Sequence, residues 1–280
     1  GIEQRHFAPE GIGASDLALE ASRKAIDAAK IAPAQVDYII FSTMTPDYIF
    51  PGSGGLLGAK LGIPGTPALD IRQQCCAFPF AFQLADGLVA TGAANTILVV
   101  GAEAHAGFMP WRDWDVVEGR STRDVSAADR ERATRHRGLA ILFGDGAGAL
   151  VLEKSKVEGN GLIGVEVHSD GNFAENIYIE GGGFRRRPYW GPMMFDEEMH
   201  IPRMDGRELF KQAVTKLPKV VRSLCDKHAI DLSSIDWFVA HQANDRINGA
   251  VRDALELPAE KVPSNIAHFG NTSAGTIPIL

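Results

Sequence analysis

The sequence predicts an α/β protein made of two similar halves, and three observations carry that expectation. Amphipathic helical stretches alternate with short apolar runs that read as strands buried on both faces. Residues 31–40 (IAPAQVDYII) match residues 230–239 (IDLSSIDWFV) at an offset of 199 residues, each copy after an amphipathic helix. With 280 residues and 45% hydrophobic composition, the chain has enough side chain for one large domain or two ordinary ones.

In chain order, residues 15–30 put Leu17, Ala21, Ala25 and Ala28 on one helical face behind a Ser15/Asp16 cap. Residues 36–44 (VDYIIFSTM) read as a strand, 54–61 as a short helix, and 67–72 as a strand leading into Cys75-Cys76. A helix over 77–91 and a strand over 96–103 (TILVVGAE) follow. Residues 104–136, with two tryptophans and dense charge, interrupt the rhythm as an insertion. Residues 139–143 and 147–154 are expected to form a hairpin around GDGAG, whose glycines suggest a close backbone crossing. More strand is expected within 161–203, then a helix at 205–228, a strand at 235–240 and a helix at 244–256.

The net charge of −7 gives no global basic field for nucleic acid, and no apolar stretch approaches the ~18 residues of a membrane span. The first ten residues carry Glu3, Arg5, His6 and Glu10 where a signal peptide needs an apolar run. Three cysteines, two of them adjacent, make no disulfide framework, so a cytoplasmic protein with free thiols is expected. The eight histidines show no pair at metal-ligand spacing, and no metal site is expected.

Cys75 falls where a strand turns into a helix, and helix N-terminal amides favour a thiolate and can hold an oxyanion. That placement leaves two roles open, a nucleophile of lowered pKa or a small buried hydrophobe. His241 follows the apolar run Trp237–Ala240, and Asn271 lies in a Gly-Asn-Thr-Ser turn. Together they offer nucleophile, base and polar orienter, a set that serves a hydrolase as well as an acyl transferase. The arginines of 130–137 and 185–187 read as solvated loops or as docking points for a phosphate-bearing partner.

Four motifs in order narrow the choice: DIRQQCCAF (70–78), LFGDGAG (142–148), HQAN (241–244) and GNTSA (270–274). With them the chain resembles, over essentially its whole length, the β-ketoacyl-acyl-carrier-protein synthase III family of thiolase-superfamily condensing enzymes. The resemblance implies a thiolase-like five-layered αβαβα fold of two duplicated halves, normally a homodimer. The halves would span 1–156, with Cys75, and 157–280, with His241 and Asn271. It implies transfer of an acyl group from acyl-coenzyme A to Cys75, then decarboxylative Claisen condensation with malonyl-acyl carrier protein. His241 and Asn271 would stabilise the enolate, and no cofactor is implied beyond the coenzyme A thioester that arrives as substrate. Arg137 resembles a coenzyme A contact, Asn244 a pantetheine-tunnel residue and Arg246 a carrier-protein docking position. Phe210, with Gly206 in the same MDGRELFK run, resembles a substrate-tunnel gate, and Phe50 a residue reaching the partner subunit's acyl pocket.

Ala77 stands where the family usually has Gly, Cys76 where it has a small residue, and the 104–136 insertion is longer than in compact members. A specialised-metabolism acyl transferase, or a non-decarboxylating condensing enzyme using Cys75, is the alternative. The family also carries an opening strand before the position of Gly1, and closing strands with a Gly-rich loop after that of Leu280. The 280 residues are therefore expected to lack terminal segments, to fold poorly alone and to turn over slowly.

Overall fold

A computed structural model describes residues 1–280. Helix α1 (Ala14–Ala29) starts where the Gly13 N–H donates to the Asp16 carboxylate at 3.1 Å. It buries the small residues Ala14, Ala18 and Ser22 with Ile26, a face smooth enough to lie close against a sheet. Strand β1 (Tyr38–Ser42), helix α2 (Ser53–Lys60), strand β2 (Ala68–Ile71), helix α3 (Ala77–Ala90) and strand β3 (Thr96–Glu103) follow. The strands order β2-β1-β3-β4, with β1 parallel to both neighbours and β4 (Gly146–Glu153) antiparallel to β3. Alternation along β1 and β3 splits the core as period 2 requires. Ile39, Phe41, Leu98 and Val100 pack with α1 and α2, while Ile40, Ile97 and Val99 meet Phe78, Ala81 and Ala85 of α3.

Between β3 and β4 the insertion folds into a 3₁₀ turn (His105–Phe108), α4 (Trp114–Val117) and α5 (Ala127–Arg135). Phe7, Trp111 and Trp114 stack edge to face there. The hairpin expected around GDGAG is not formed. Residues Arg137–Ala140 are helix α6, Phe143 makes only an isolated bridge to Asn271, and β4 pairs with β3. The glycines instead allow the crossing expected of them. A Cβ on Gly144 would stand 2.5 Å from the Phe269 carbonyl, and one on Gly148 2.7 Å from Pro278.

The rest carries β5 (Ile177–Tyr178), α7 (Met193–Asp196), β6 (Arg203–Met204), α8 (Gly206–Lys227), α9 (Asp245–Leu255), α10 (Ile266–Phe269) and α11 (Thr276–Ile279). Of the strands expected within 161–203, only the two-residue ladder β5–β6 exists. The strand expected at 235–240 has no ladder at all. An apolar run becomes a strand only when another strand takes its backbone bonds. Here no strand lies alongside; the Phe238 N–H goes to the Lys261 carbonyl at 2.8 Å, and Trp237 is left 63% exposed.

The repeat reaches further than residues 31–40 suggest. The 3₁₀ turns Pro33–Gln35 and Leu232–Ser234 sit 199 residues apart, and so do Gln74–Cys76 and Ser273–Gly275. Gln74 and Ser273, at that same offset, both hold φ at 45°, a left-handed value rare outside glycine. Each turn runs into a helix with proline third, Pro79 in α3 and Pro278 in α11, and the two turns are in contact. No helix is long and apolar enough to cross a membrane.

Candidate active site

Cys75 lies half-buried in the turn between β2 and α3, which packs against the Ser273–Gly275 turn. The lowered pKa expected from the helix N-terminus does not hold. Burial pushes the thiol up to about 12, Cys76 and Glu103 add to the rise, and Ser273 opposes it. A helix N-terminus supplies at most about 2 kcal/mol, roughly 1.5 pH units, which is less than this burial costs. Cys75 therefore rests as a thiol and becomes nucleophilic only as its proton leaves. Cys76 is the N-cap residue of α3 and is exposed.

One turn, residues 270–276, gathers the other groups. The Asn271 N–H donates to the Leu142 carbonyl at 2.8 Å, and the Asn271 carbonyl accepts from the Gly144 N–H at 3.1 Å. The Asn271 side-chain Oδ1 accepts the Ser273 N–H at 2.8 Å, which leaves its Nδ2 as the group free to donate. Thr276 Oγ1 stands 2.6 Å from His241 Nδ1 and 3.0 Å from the Ser273 carbonyl. His241 Nε2 is enclosed and has no partner. Burial holds the His241 pKa down at about 4, so its ring is neutral at pH 7. Gln242, fully buried beside it, donates to the Ala240 carbonyl at 2.9 Å and accepts from Ser264 Oγ at 2.9 Å, fixing the loop. Cys75 and His241, 166 residues apart in sequence, thus reach the turn that carries Asn271, the first by the packing of its own turn and the second through Thr276.

Two buried residues absent from the sequence reading complete the cluster. Glu103, at the end of β3, accepts from Thr43 Oγ1 (3.1 Å), the Met44 N–H (3.1 Å), the Thr45 N–H (3.1 Å) and Thr45 Oγ1 (2.6 Å). One carboxyl thus ties the end of β3 to the loop after β1. Burial pushes it up to about 7 against the pull of those donors. The signal for it was an acidic residue closing an otherwise apolar run, TILVVGAE. His105 lay inside the stretch read as an insertion. Its Nδ1–H donates to the Gly144 carbonyl at 2.8 Å, Nε2 meets Ser273 Oγ at 3.1 Å, and its ring stacks on Phe143. Burial lowers its pKa to about 4.

The remaining candidates lie outside this hydrogen-bonded group. Asn244 is the N-cap of α9, its Oδ1 accepting the Arg246 N–H at 3.0 Å, with Arg246 exposed on the first turn. Arg137 is exposed at the start of α6, Gly206 opens α8, and Phe210 is half-buried one turn on. Phe50 is 81% exposed. Much of the arginine charge is already matched. Arg132, Arg135 and His136 converge on Glu198, and Arg186 and Arg203 on Glu180.

The sequence profile for 3-oxoacyl-[acyl-carrier-protein (ACP)] synthase III matches residues 69–171, and that for the C-terminal part of the same enzymes matches 225–280. A β-ketoacyl-[acyl-carrier-protein] synthase III of Cereibacter sphaeroides is 36% identical over 283 residues, taking in 100% of this chain and 77% of its own. One from Bordetella petrii is also 36% identical, at 100% and 75%. The crystal structure of 3-oxoacyl-[acyl-carrier-protein] synthase III from Aquifex aeolicus superposes with a TM-score of 0.81 at 32% identity, covering 100% of this chain and 77% of that one. The Thermus thermophilus enzyme gives 0.80 at 32%, covering 98% and 76%. The α/β architecture is thus the thiolase-like one of these enzymes, and the chain belongs to the β-ketoacyl-acyl-carrier-protein synthase III family of condensing acyltransferases.

Proposed function

We propose that Cys75 accepts an acyl group from an acyl-coenzyme A and passes it to the carbanion released when malonyl-acyl carrier protein loses carbon dioxide. In the first half-reaction the Cys75 sulfur bonds to the acyl carbon, the bond to the coenzyme A sulfur breaks, and the Cys75 proton ends on the departing thiolate. In the second, the malonyl thioester oxygen takes up charge as carbon dioxide leaves, and Asn271 Nδ2 and His241 Nε2 donate to it. The enolate carbon then attacks the acyl carbon and the Cys75 thiolate departs, to be reprotonated.

The observation that carries this reading is the 270–276 turn, which brings together a half-buried thiol, a neutral imidazole with an unpartnered nitrogen and a carboxamide with a free donor. Donors fixed in a dry site before charge develops are the largest single source of such catalysis. In this reading residues 1–156 form the half that bears the nucleophile, and 157–280 the half that bears the donors. Arg137, Asn244, Phe210 and Gly206 line the path of the thioester arm, Arg246 meets the acidic carrier protein, and Phe50 reaches across a homodimer. The enzyme is cytoplasmic and needs no resident cofactor.

The test is to incubate the full-length protein with acyl-coenzyme A, then add malonyl-acyl carrier protein. A mass increase of one acyl group on Cys75, absent from Cys75→Ala, followed by carbon dioxide release is expected. Absence of the adduct, or its survival in Cys75→Ala, overturns the nucleophile. An adduct without carbon dioxide overturns the decarboxylative step.

A further inference from the structure

We propose that Thr276 is the positioning residue that sets the tautomer of His241, giving its hydroxyl hydrogen to Nδ1 so that Nε2 carries the hydrogen offered to the substrate oxygen. The proposal rests on the reading above and adds a residue to it.

A threonine hydroxyl has one hydrogen, and Thr276, itself buried, has two acceptors within reach. His241 Nδ1 is at 2.6 Å and the Ser273 carbonyl at 3.0 Å. The choice determines the other side of the ring. If the hydrogen goes to Ser273, His241 must donate from Nδ1, and Nε2 is a bare lone pair. If it goes to Nδ1, Nε2 is an N–H. In both cases Nε2 has no partner within the protein, so a ligand atom has to satisfy it. A lone pair there would repel a thioester oxygen gathering charge, whereas an N–H would stabilise it. The Ser273 carbonyl already accepts the Thr276 N–H, so the hydroxyl hydrogen is left for Nδ1, which has no other donor. The ring is neutral at working pH, so no second proton overrides the choice. Asn271 is set the same way, because the Ser273 N–H occupies its Oδ1 and turns Nδ2 outward. Two members of one turn, neither touching substrate, orient the two donors.

Nitrogen-15 NMR of the full-length protein, with His241 assigned by substitution, distinguishes the tautomers directly. Wild type and Thr276→Ser are expected to show a protonated Nε2 and a bare Nδ1. Thr276→Val, of the same shape without the hydroxyl, loses that bias. Its decarboxylation of malonyl-acyl carrier protein is expected to fall by about 10- to 100-fold, somewhat less than the loss of a whole donor, and far more than its acylation by acyl-coenzyme A. Thr276→Ser recovers most of the rate. A wild-type spectrum with protonated Nδ1, or Thr276→Val decarboxylating like wild type, overturns the proposal. Should Thr276→Val not fold, the wild-type and Thr276→Ser spectra decide. If wild type neither acylates nor releases carbon dioxide, the proposed function falls while the spectra still give the role of Thr276.

Discussion

The four-stranded sheet and the region after it are packed very differently. Around β1 and β3, seventeen buried residues in two clusters cover both faces of the sheet, whereas Val251, Leu255 and Leu257 are the whole buried cluster between α8 and α9. Yet Asn271 and Thr276, which belong to the second region in sequence, are buried against the first. The 270–276 turn and α11 lie on β3 and β4, where glycines leave room for them. Asn271 is thus held by the well-packed sheet that also carries Cys75, whereas His241 arrives from the looser region.

That contrast breaks most severely at Gly101. A Cβ there would stand 2.1 Å from the Ala274 carbonyl and 2.8 Å from Phe78, so the 270–276 turn cannot stay seated beside a side chain. Gly101→Val should lose ~3 kcal/mol or more, the upper range of overpacking, together with acylation of Cys75. A urea midpoint and the acyl-enzyme mass measure the two losses, and retention of both would separate the turn from the sheet. A smaller effect is expected at Glu103. In Glu103→Gln an amide NH₂ replaces an acceptor facing only donors, at a cost of about 1–3 kcal/mol. Burial raises the Glu103 pKa above its unfolded value, so wild type loses stability as pH rises from about 4.5 to about 7. The gap between variant and wild type should therefore narrow over that range, and a gap that widens would refute the assignment. The smallest effect belongs to the looser region. Asn244→Ala removes the α9 cap at about 1 kcal/mol, and Asn244→Ser should restore Tm. If Asn244 Nδ2 also meets the thioester arm, KM for acyl-coenzyme A stays raised in the serine variant, and an unchanged KM would make Asn244 a cap alone.

What was legible in the sequence follows from how local each cause is. Strand β3 was read with its observed bounds, because an apolar run flanked by turns needs only neighbouring strands to become buried. Cys75, His241 and Asn271 were legible as motifs. The GDGAG hairpin failed because Gly144 and Gly148 serve crossings with Phe269 and Pro278, which lie far off in the chain. The apolar run 235–240 reads as a strand by composition, but a ladder needs a partner that composition does not reveal. The high pKa of Cys75 comes from burial in the assembled fold, beside Glu103 and Ser273 from distant parts of the chain, whereas its helix N-terminus is visible locally. Glu103 and His105 owe their places to donors and rings brought from elsewhere.

The matched bends at Gln74–Cys76 and Ser273–Gly275 have one more consequence. Where the first copy carries Cys75, the second carries Ala274, so the doubled chain has two equivalent positions and sulfur at one. On the proposed mechanism the labour is divided between them: the first bend supplies the electron pair, and the turn around the second, through Asn271, receives the negative charge. The two roles can then evolve separately on a shared backbone shape, acyl donors changing around the first bend and acceptors around the second.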